Sequence, residues 1–70
     1  GANVNNQDKD GDTPLTEAAR VGNLELAKLL VRNGAKLEMK NKKKQTAVDV
    51  AKEQGQNMVA NYLIDLMSME

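Results

Sequence analysis

The chain has 70 residues and a mass of 7.6 kDa, with ten Lys and Arg residues against ten Asp and Glu residues and neither His nor Cys. The lack of His and Cys excludes disulfide frameworks, zinc-finger ligand sets, thiol nucleophiles and imidazole bases. A net charge of zero argues against attraction to nucleic acid or to membranes through a single-sign field. No apolar run approaches the roughly 20 residues of a membrane span.

The first predicted elements are a turn and a short helix. Residues 8–12 are rich in Asp and contain Gly11, which can adopt positive φ. Thr13 is a suitable N-cap, and Pro14 follows at the first helical position, where its missing N–H removes no hydrogen bond. We therefore predict a helix over residues 14–21 that ends in a left-handed glycine cap.

A second helix is predicted directly after this cap. Asn23 can serve as its N-cap, and Leu26, Leu29 and Leu30 follow at the i, i+3, i+4 spacing of an apolar helix face. The predicted helix covers residues 24–33 and is followed by a glycine. Each such helix pair exposes an apolar face that it cannot cover alone, so the pair requires a neighbour.

The rest of the chain repeats this pattern at an offset of 33 residues. The equivalent pairs include Thr13 and Thr46, Ala18 and Ala51, Gly22 and Gly55, and Leu30 and Leu63. The offset divides the chain into the tail of one repeat at 1–7, a full repeat at 8–40 and a degenerate repeat at 41–70. In the degenerate repeat we predict helices over 47–54 and 57–68.

The degenerate repeat has the pattern of a C-terminal cap. Thr46 and Asp49 have the spacing of a capping box, whereas Lys44 replaces the turn glycine. The apolar residues of the last helix share one face: Val59, Tyr62, Leu63, Leu66 and Met67. We expect Met58 and Met67 to fill the core. Because this end is one-sided and the N-terminal end has no such cap, we interpret the chain as the end of a longer array.

These motifs resemble the ankyrin repeat. Residues 11–19, Gly-Asp-Thr-Pro-Leu-Thr-Glu-Ala-Ala, match the T-P-L-H-x-A signature with Thr16 in place of His, and residues 22–30 match the second helix of the 33-residue unit. The resemblance covers the whole chain. It implies an all-α ankyrin-repeat solenoid fragment of stacked helix-turn-helix pairs, with β-hairpin or turn fingers. The lack of cysteine favours an intracellular location, cytoplasmic or nuclear.

The resemblance also implies a non-catalytic module that binds a partner protein. In the family, the fingers and the first helices line a concave, partner-binding face. The corresponding positions are Lys9, Asp10, Asp12, Arg20, Val21, Lys40, Lys42, Lys43, Gln45, Glu53 and Gln54. The second finger is rich in lysine, at Lys36, Lys40, Lys42, Lys43 and Lys44. This cluster is either a solvated turn or a patch for an acidic partner segment. Without Arg or aromatic residues it is a poor nucleic-acid signature.

A calcium site is a remote alternative. Residues 6–17 fit an EF-hand loop, D-x-D-x-D-G-x5-E, except that Asn stands at the first position. Its ligands would be Asn6, Asp8, Asp10 and Glu17. An EF-hand needs an amphipathic helix before the loop, and only five residues precede it here. The equivalent turn of the next repeat is rich in lysine, so we predict no metal site.

Two further functional classes follow from the pattern. The fragment could act purely as a structural cap that stabilises an upstream array without binding a partner. An open apolar face on the N-terminal side would also allow end-to-end self-association. Catalysis is not expected, because no hydroxyl side chain has a suitable base that the repeat geometry would bring near it. We therefore predict no catalytic residues and no cofactor.

Overall fold

The computed structural model describes residues 4–69 and contains four helices in this range. They are α1 (Pro14–Val21), α2 (Leu24–Arg32), α3 (Ala47–Glu53) and α4 (Asn57–Ser68). Between residues 4 and 69 there is no β-strand, so both fingers are turns. None of the helices there is long and apolar enough to cross a membrane. Residues 1–3 of the predicted repeat tail and the final residue of the predicted last repeat lie outside the described residues.

The predicted N-caps are confirmed. Thr13 Oγ1 accepts a hydrogen bond from the Thr16 backbone N–H at 3.2 Å, and the Thr16 hydroxyl accepts from the Thr13 N–H in return. Thr46 and Asp49 form the equivalent capping box at the start of α3. Because each box satisfies two N–H groups that have no partner within the helix, it fixes where the helix begins.

The helix ends differ slightly from the predicted ends. The residue after α1, Gly22, has φ 78° and caps the helix in the left-handed region as expected. Asn33 and Gln54, predicted as the last helical residues of α2 and α3, are instead the C-caps. The Asn33 side chain also donates a hydrogen bond to the Leu29 carbonyl at 2.7 Å, which satisfies a carbonyl of the last turn.

The helices stack as two pairs, with α1 against α3 and α2 against α4. The buried core consists mainly of alanine with a few larger side chains: Leu15, Ala18, Ala19, Ala27, Ala47, Val48, Ala51, Val59, Ala60 and Leu63. Small side chains let α1 and α3 approach closely, and Leu15 and Leu63 fill the space that remains. This stacking places the two fingers side by side at one edge of the molecule.

The expectation that Met58 and Met67 fill the core is wrong. Their exposed fractions are 72% and 48%, whereas Val59 and Leu63 are fully buried. Met58 precedes Val59, and consecutive side chains are roughly 100° apart around a helix, so Met58 points away from α2. Met67 lies in the last turn of α4, which has 12 residues against the nine of α2 and so extends beyond the helix that would cover it.

Candidate protein-binding groove

A groove of about 370 Å³ opens between the fingers and α3. We call residues 8–12 the first finger, residues 40–45 the second finger, and this depression the finger groove. Its lining consists of Asp10, Asp12, Arg20, Asn41, Lys42, Lys43, Gln45, Val50, Glu53 and Gln54. The partner-binding candidates all belong to this set except Lys9, Val21 and Lys40. The structure thus brings most of the candidate residues together in one concave site.

The two fingers are built in the same way. Asp8 Oδ1 accepts hydrogen bonds from the backbone N–H groups two and four residues later, both at 2.9 Å. Asn41 Oδ1 does the same in the second finger, at 2.9 and 3.0 Å. Such Asx turns let a side chain stand in for a backbone acceptor. Asn41 is not among the predicted site residues, although its position one repeat after Asp8 signals the shared role.

The fingers contact each other directly through backbone groups. The Lys42 N–H donates to the Asp10 carbonyl at 3.0 Å. The Gln7 side chain joins them as well, because its amide nitrogen lies 2.9 Å from both the Gly11 and Lys40 carbonyl oxygens. Gly11 has φ 80°, and a Cβ atom there would lie 2.8 Å from the Lys42 nitrogen. Glycine is therefore required at this point both for its backbone conformation and for the close approach.

A polar network crosses the floor of the finger groove and joins the two repeats. Asp12 is 5% exposed; its carboxylate accepts from the Arg20 guanidinium at 3.0 Å and from the Asn41 side-chain amide at 3.1 Å. Asn41 also contacts the Gln45 side chain at 3.3 Å, and Gln45 in turn donates to Glu53. The network runs without a break from α1 to α3, so it holds the two sides of the groove in register.

The network keeps Asp12 and Arg20 ionised. Burial raises the Asp12 pKa and is the largest single contribution, but the hydrogen bonds from Asn41 and Arg20, with the Arg20 charge, outweigh it and leave this pKa below its usual value of 3.8. Hydrogen bonds to Asp12 and Glu17 raise the pKa of Arg20 above its usual range. Asp12 and Arg20 therefore form a charged pair at neutral pH, and Asp12 links this pair to Asn41 of the second repeat.

The other candidate residues are more accessible. Lys9, Asp10, Val21, Lys40, Lys42, Lys43, Glu53 and Gln54 are all exposed, and Gln45 is half-buried. Both ion pairs found within residues 4–69 involve Arg20, so no lysine there forms one. Lys36, the remaining member of the lysine cluster, lines a separate groove of about 560 Å³ with Leu37, Glu38, Met39, Leu66 and Met67.

The acidic residues of the first repeat form a different group from the EF-hand set. The carboxylates of Asp8, Asp12 and Glu17 lie within 4.8 Å of one another, and Asp10 is not part of this group. Arg20 binds both Asp12 and Glu17 and so supplies a cation from the protein itself. Between residue 4 and Pro14 there is no helix, so the described residues lack the helix that enters an EF-hand loop.

Comparisons with known proteins agree with this architecture. The protein-family model described as ankyrin repeats (3 copies) matches residues 1–69 of this chain. The bovine (Bos taurus) ankyrin repeat domain-containing protein 37 is 41% identical over 70 residues, which cover all of this chain and 44% of that protein. A putative ankyrin repeat protein of Rickettsia bellii is 39% identical over 62 residues, covering 89% of this chain and 37% of that protein.

A solved structure gives the same result. One chain in the complex of a predatory endopeptidase from Bdellovibrio bacteriovorus with an immunity protein is 40% identical, with a TM-score of 0.87 over 90% of this chain and 33% of that chain. The chain thus spans less than half the length of the relatives that it matches. With a family model matched over nearly its full length and two stacked helix pairs one repeat apart, this chain belongs to the ankyrin repeat family.

Proposed function

We propose that this chain is a non-catalytic protein-binding module and that the finger groove is its main partner-binding surface. Ankyrin repeats are generally protein–protein interaction modules, and stacked repeats create concave binding surfaces. The observation that supports the groove most is its composition. It collects side chains from both fingers and from α3 that helix packing does not use, above a floor that the Asp12 network holds together.

We assign two roles to the candidate residues. The exposed members are proposed to contact the partner directly: Lys9, Asp10, Val21, Lys40, Lys42, Lys43, Glu53 and Gln54. Asp12, Arg20 and Gln45 are proposed to position them, because these three side chains bond to one another or to Asn41 across the groove floor. A rigid floor lowers the entropy lost on binding, since the contact residues are already held in place.

The proposal can be tested by selecting binders from a random displayed peptide library on the immobilised chain. Gln54→Trp fills the groove at an exposed position without changing the charge, and Asn61→Trp is the matched control on the exposed side of α4. We expect the selected peptides to lose affinity by about tenfold or more with Gln54→Trp and to bind Asn61→Trp as before. If the selected peptides bind Gln54→Trp with unchanged affinity, or lose affinity equally with both variants, then the groove is not the binding surface.

Self-association through α2 is a second proposal. Leu26 and Leu29 are exposed on α2, whereas at the equivalent positions of the next repeat Val59 is buried and Tyr62 is half-buried. Two chains that meet end to end would bury such leucines. Sedimentation equilibrium with circular dichroism over a concentration series should then show a dimer that Leu29→Lys abolishes. A helical monomer at every concentration would exclude this proposal.

A purely structural role as a C-terminal cap is the alternative to partner binding. In that case Leu66→Ala should lower the stability of a longer parent array, because Leu66 packs against the core. Charge reversal at Lys42 and Lys43 should then leave partner capture unchanged. Loss of partner capture with the charge reversal and unchanged helix content would instead support the binding module.

We also propose that the chain acts inside the cell, in the cytoplasm or the nucleus. The support is the family assignment, since ankyrin repeat proteins are commonly intracellular. Fractionation of cells that express the tagged parent protein would test it. Recovery from the medium or from a membrane fraction alone would contradict the proposal.

A further inference from the structure

We propose that the second finger and the groove beside it recognise an acidic peptide segment of the partner protein. This inference rests on the proposed function and names the kind of partner. The residues concerned are Lys40, Lys42, Lys43 and Lys44, which we call the lysine tip. All four side chains are exposed, and Lys42 and Lys43 line the groove itself.

Most groove carboxylates already have partners within the chain. Asp12 is buried between Arg20 and Asn41, and Glu53 accepts a hydrogen bond from Gln45. The positive charge of Arg20 is likewise paired within the chain, because Arg20 forms both ion pairs found between residues 4 and 69. The charged groups in this part of the molecule that have no ion pair are mainly the ammonium groups of the lysine tip.

The first finger does not neutralise the lysine tip. Asp8 uses one carboxylate oxygen to accept two backbone hydrogen bonds in its own turn. Asp10 is exposed next to the second finger, but only its backbone carbonyl bonds to Lys42. The described residues thus leave four ammonium groups without an ion pair in the second finger. A segment that supplies carboxylates at this edge would therefore complement its charge.

The backbone conformation of Lys44 also supports a binding role for the lysine tip. Lys44 has φ 63°, and among the described residues it is the one position other than glycine with positive φ. Gly11, the equivalent position of the first finger, has φ 80°. The left-handed region disfavours residues that have a Cβ atom, so a lysine is less favourable here than a glycine. Strained residues persist at functional sites, and a lysine here adds one more positive charge to the tip.

The lysine tip suits an acidic peptide better than a phosphate-rich polymer. The backbone N–H groups of residues 42–44 all donate within the fingers, to the Asp10 carbonyl and to the Asn41 side chain and carbonyl. The tip therefore has no free amide cradle for a phosphate group. It also has no arginine and no aromatic ring on which a base could stack. The groove volume of about 370 Å³ suits a few residues of extended chain.

The test measures the fluorescence anisotropy of a labelled peptide of alternating Glu and Ser with the full chain. A matched peptide with Gln in place of Glu is the ligand control. We expect saturable binding of the Glu peptide, weakened by salt, and a loss of about tenfold or more in the Lys42→Glu, Lys43→Glu double variant. The protein control is Arg32→Glu with Lys52→Glu, which changes the net charge equally at exposed positions outside the groove.

Four results would overturn the inference. The Gln peptide could bind as well as the Glu peptide, or the two double variants could lose affinity equally, as for a non-specific effect of net charge. A single-stranded oligonucleotide of equal charge could bind more tightly than the Glu peptide, which would assign the tip to nucleic acid. If the acidic peptide fails while the selected peptides still respond to Gln54→Trp, only the acidic-partner inference fails.

Lys44→Gly separates a binding role of the tip from a structural one. We expect this variant to have a higher thermal midpoint than the parent chain, because glycine adopts positive φ without strain. We also expect it to bind the Glu peptide several-fold more weakly, because one ammonium group is gone. A higher midpoint with unchanged affinity for the Glu peptide would remove Lys44 from the proposed site.

Discussion

Leu26 and Val59 occupy the same position in successive repeats, yet the first is 37% exposed and the second only 1%. Leu29 and Tyr62 are another such pair, and again the residue of the first repeat is the more exposed. The difference does not lie in the residue types, which are apolar or aromatic at all four positions. It arises because α4 packs against α2, whereas no helix within residues 4–69 packs on the opposite side of α2.

The two fingers show the reverse case, because their backbone conformations agree while their residue types differ. Their turns share one hydrogen-bond pattern, but Gly11 and Lys44 take the same left-handed backbone conformation with very different residues. At Gly11 the neighbouring finger leaves no room for a Cβ atom. The Lys44 side chain, by contrast, is exposed to solvent. In this fold, position within the repeat sets the backbone, while the presence of a neighbour decides which side chain is tolerated.

The largest expected effect concerns the core that the second repeat shares with the first. Leu63 is fully buried, so Leu63→Ala removes apolar contact and leaves a cavity. We expect it to lower the free energy of unfolding by about 2–5 kcal/mol in urea denaturation. Leu29→Ala, on the exposed side of α2, is the control and should cost less than about 1 kcal/mol. Similar losses for both variants would mean that α2 is covered in solution, as in a self-associated chain.

The contact between the fingers should have the next largest effect. Gly11→Ala places a Cβ atom against the second finger as well as in the left-handed region, and we expect it to lower the free energy of unfolding by about 2 kcal/mol or more. Gly55→Ala is a close control, since Gly55 has φ 74° and open space around its Cβ position. Gly55→Ala should lower the free energy of unfolding only by the cost of the left-handed backbone conformation, about 1 kcal/mol. Equal losses would indicate that the fingers separate in solution.

The Asp12 network should contribute a smaller, pH-dependent stabilisation. Asp12→Asn replaces a buried carboxylate that accepts from Arg20 and Asn41, and we expect a loss of about 1–3 kcal/mol at pH 7. Because the folded-state pKa lies below 3.8, this stabilisation is present above 3.8 and is lost as the pH falls through the folded value. The variant should therefore lose less stability than the parent in this acidic range.

Thermal melts between neutral pH and pH 2 would measure this difference. Asp65→Asn is the matched control, because Asp65 is exposed on α4 and should be nearly neutral in stability. If Asp12→Asn and the parent chain lost stability in parallel below pH 4, then Asp12 would not be the carboxylate that couples folding to pH.

The smallest expected effect is a gain. Lys44→Gly should raise the free energy of unfolding by about 0.5–1 kcal/mol, since it removes a left-handed lysine. Lys44→Ala keeps the Cβ atom and the strain while deleting the charge, so it should give no such gain. If the alanine variant were equally stabilised, repulsion among the lysines rather than backbone strain would explain the effect. Urea denaturation of the three chains distinguishes these cases.

Much of this fold could be predicted because its signals are local. Thr13 and Thr46 cap helices through atoms three residues away, and Gly22 ends α1 through its own φ. Met58 and Met67 could not be placed in the same way. Their helical spacing suggested a core position, but Met58 lies off the face that buries Val59, and Met67 lies where α4 extends beyond α2.

The groove residues also divide into features that repeat position predicts and features that depend on contacts between residues far apart in sequence. Family resemblance named most of the residues that line it, because the repeat fixes which positions belong to fingers and first helices. The resemblance did not distinguish the residues proposed to contact a partner from those that form the groove floor. Asp12 and Arg20 pair from opposite ends of α1, eight residues apart, and Asn41 reaches Asp12 from the next repeat. Such bonds between residues distant in sequence leave no periodic signal in the chain.

The sequence by itself determined the repeat length, the four helices, the N-caps of the first three, and the family, since each follows from short-range hydrogen bonds, glycine conformations and apolar spacing. Only the tertiary structure decided which apolar residues are buried, that the fingers touch at Gly11, and that Asp12 of the groove is ion-paired while the lysine tip is not. The physical reason is that burial and charge compensation belong to pairs of surfaces, and a surface finds its partner only when the repeats stack.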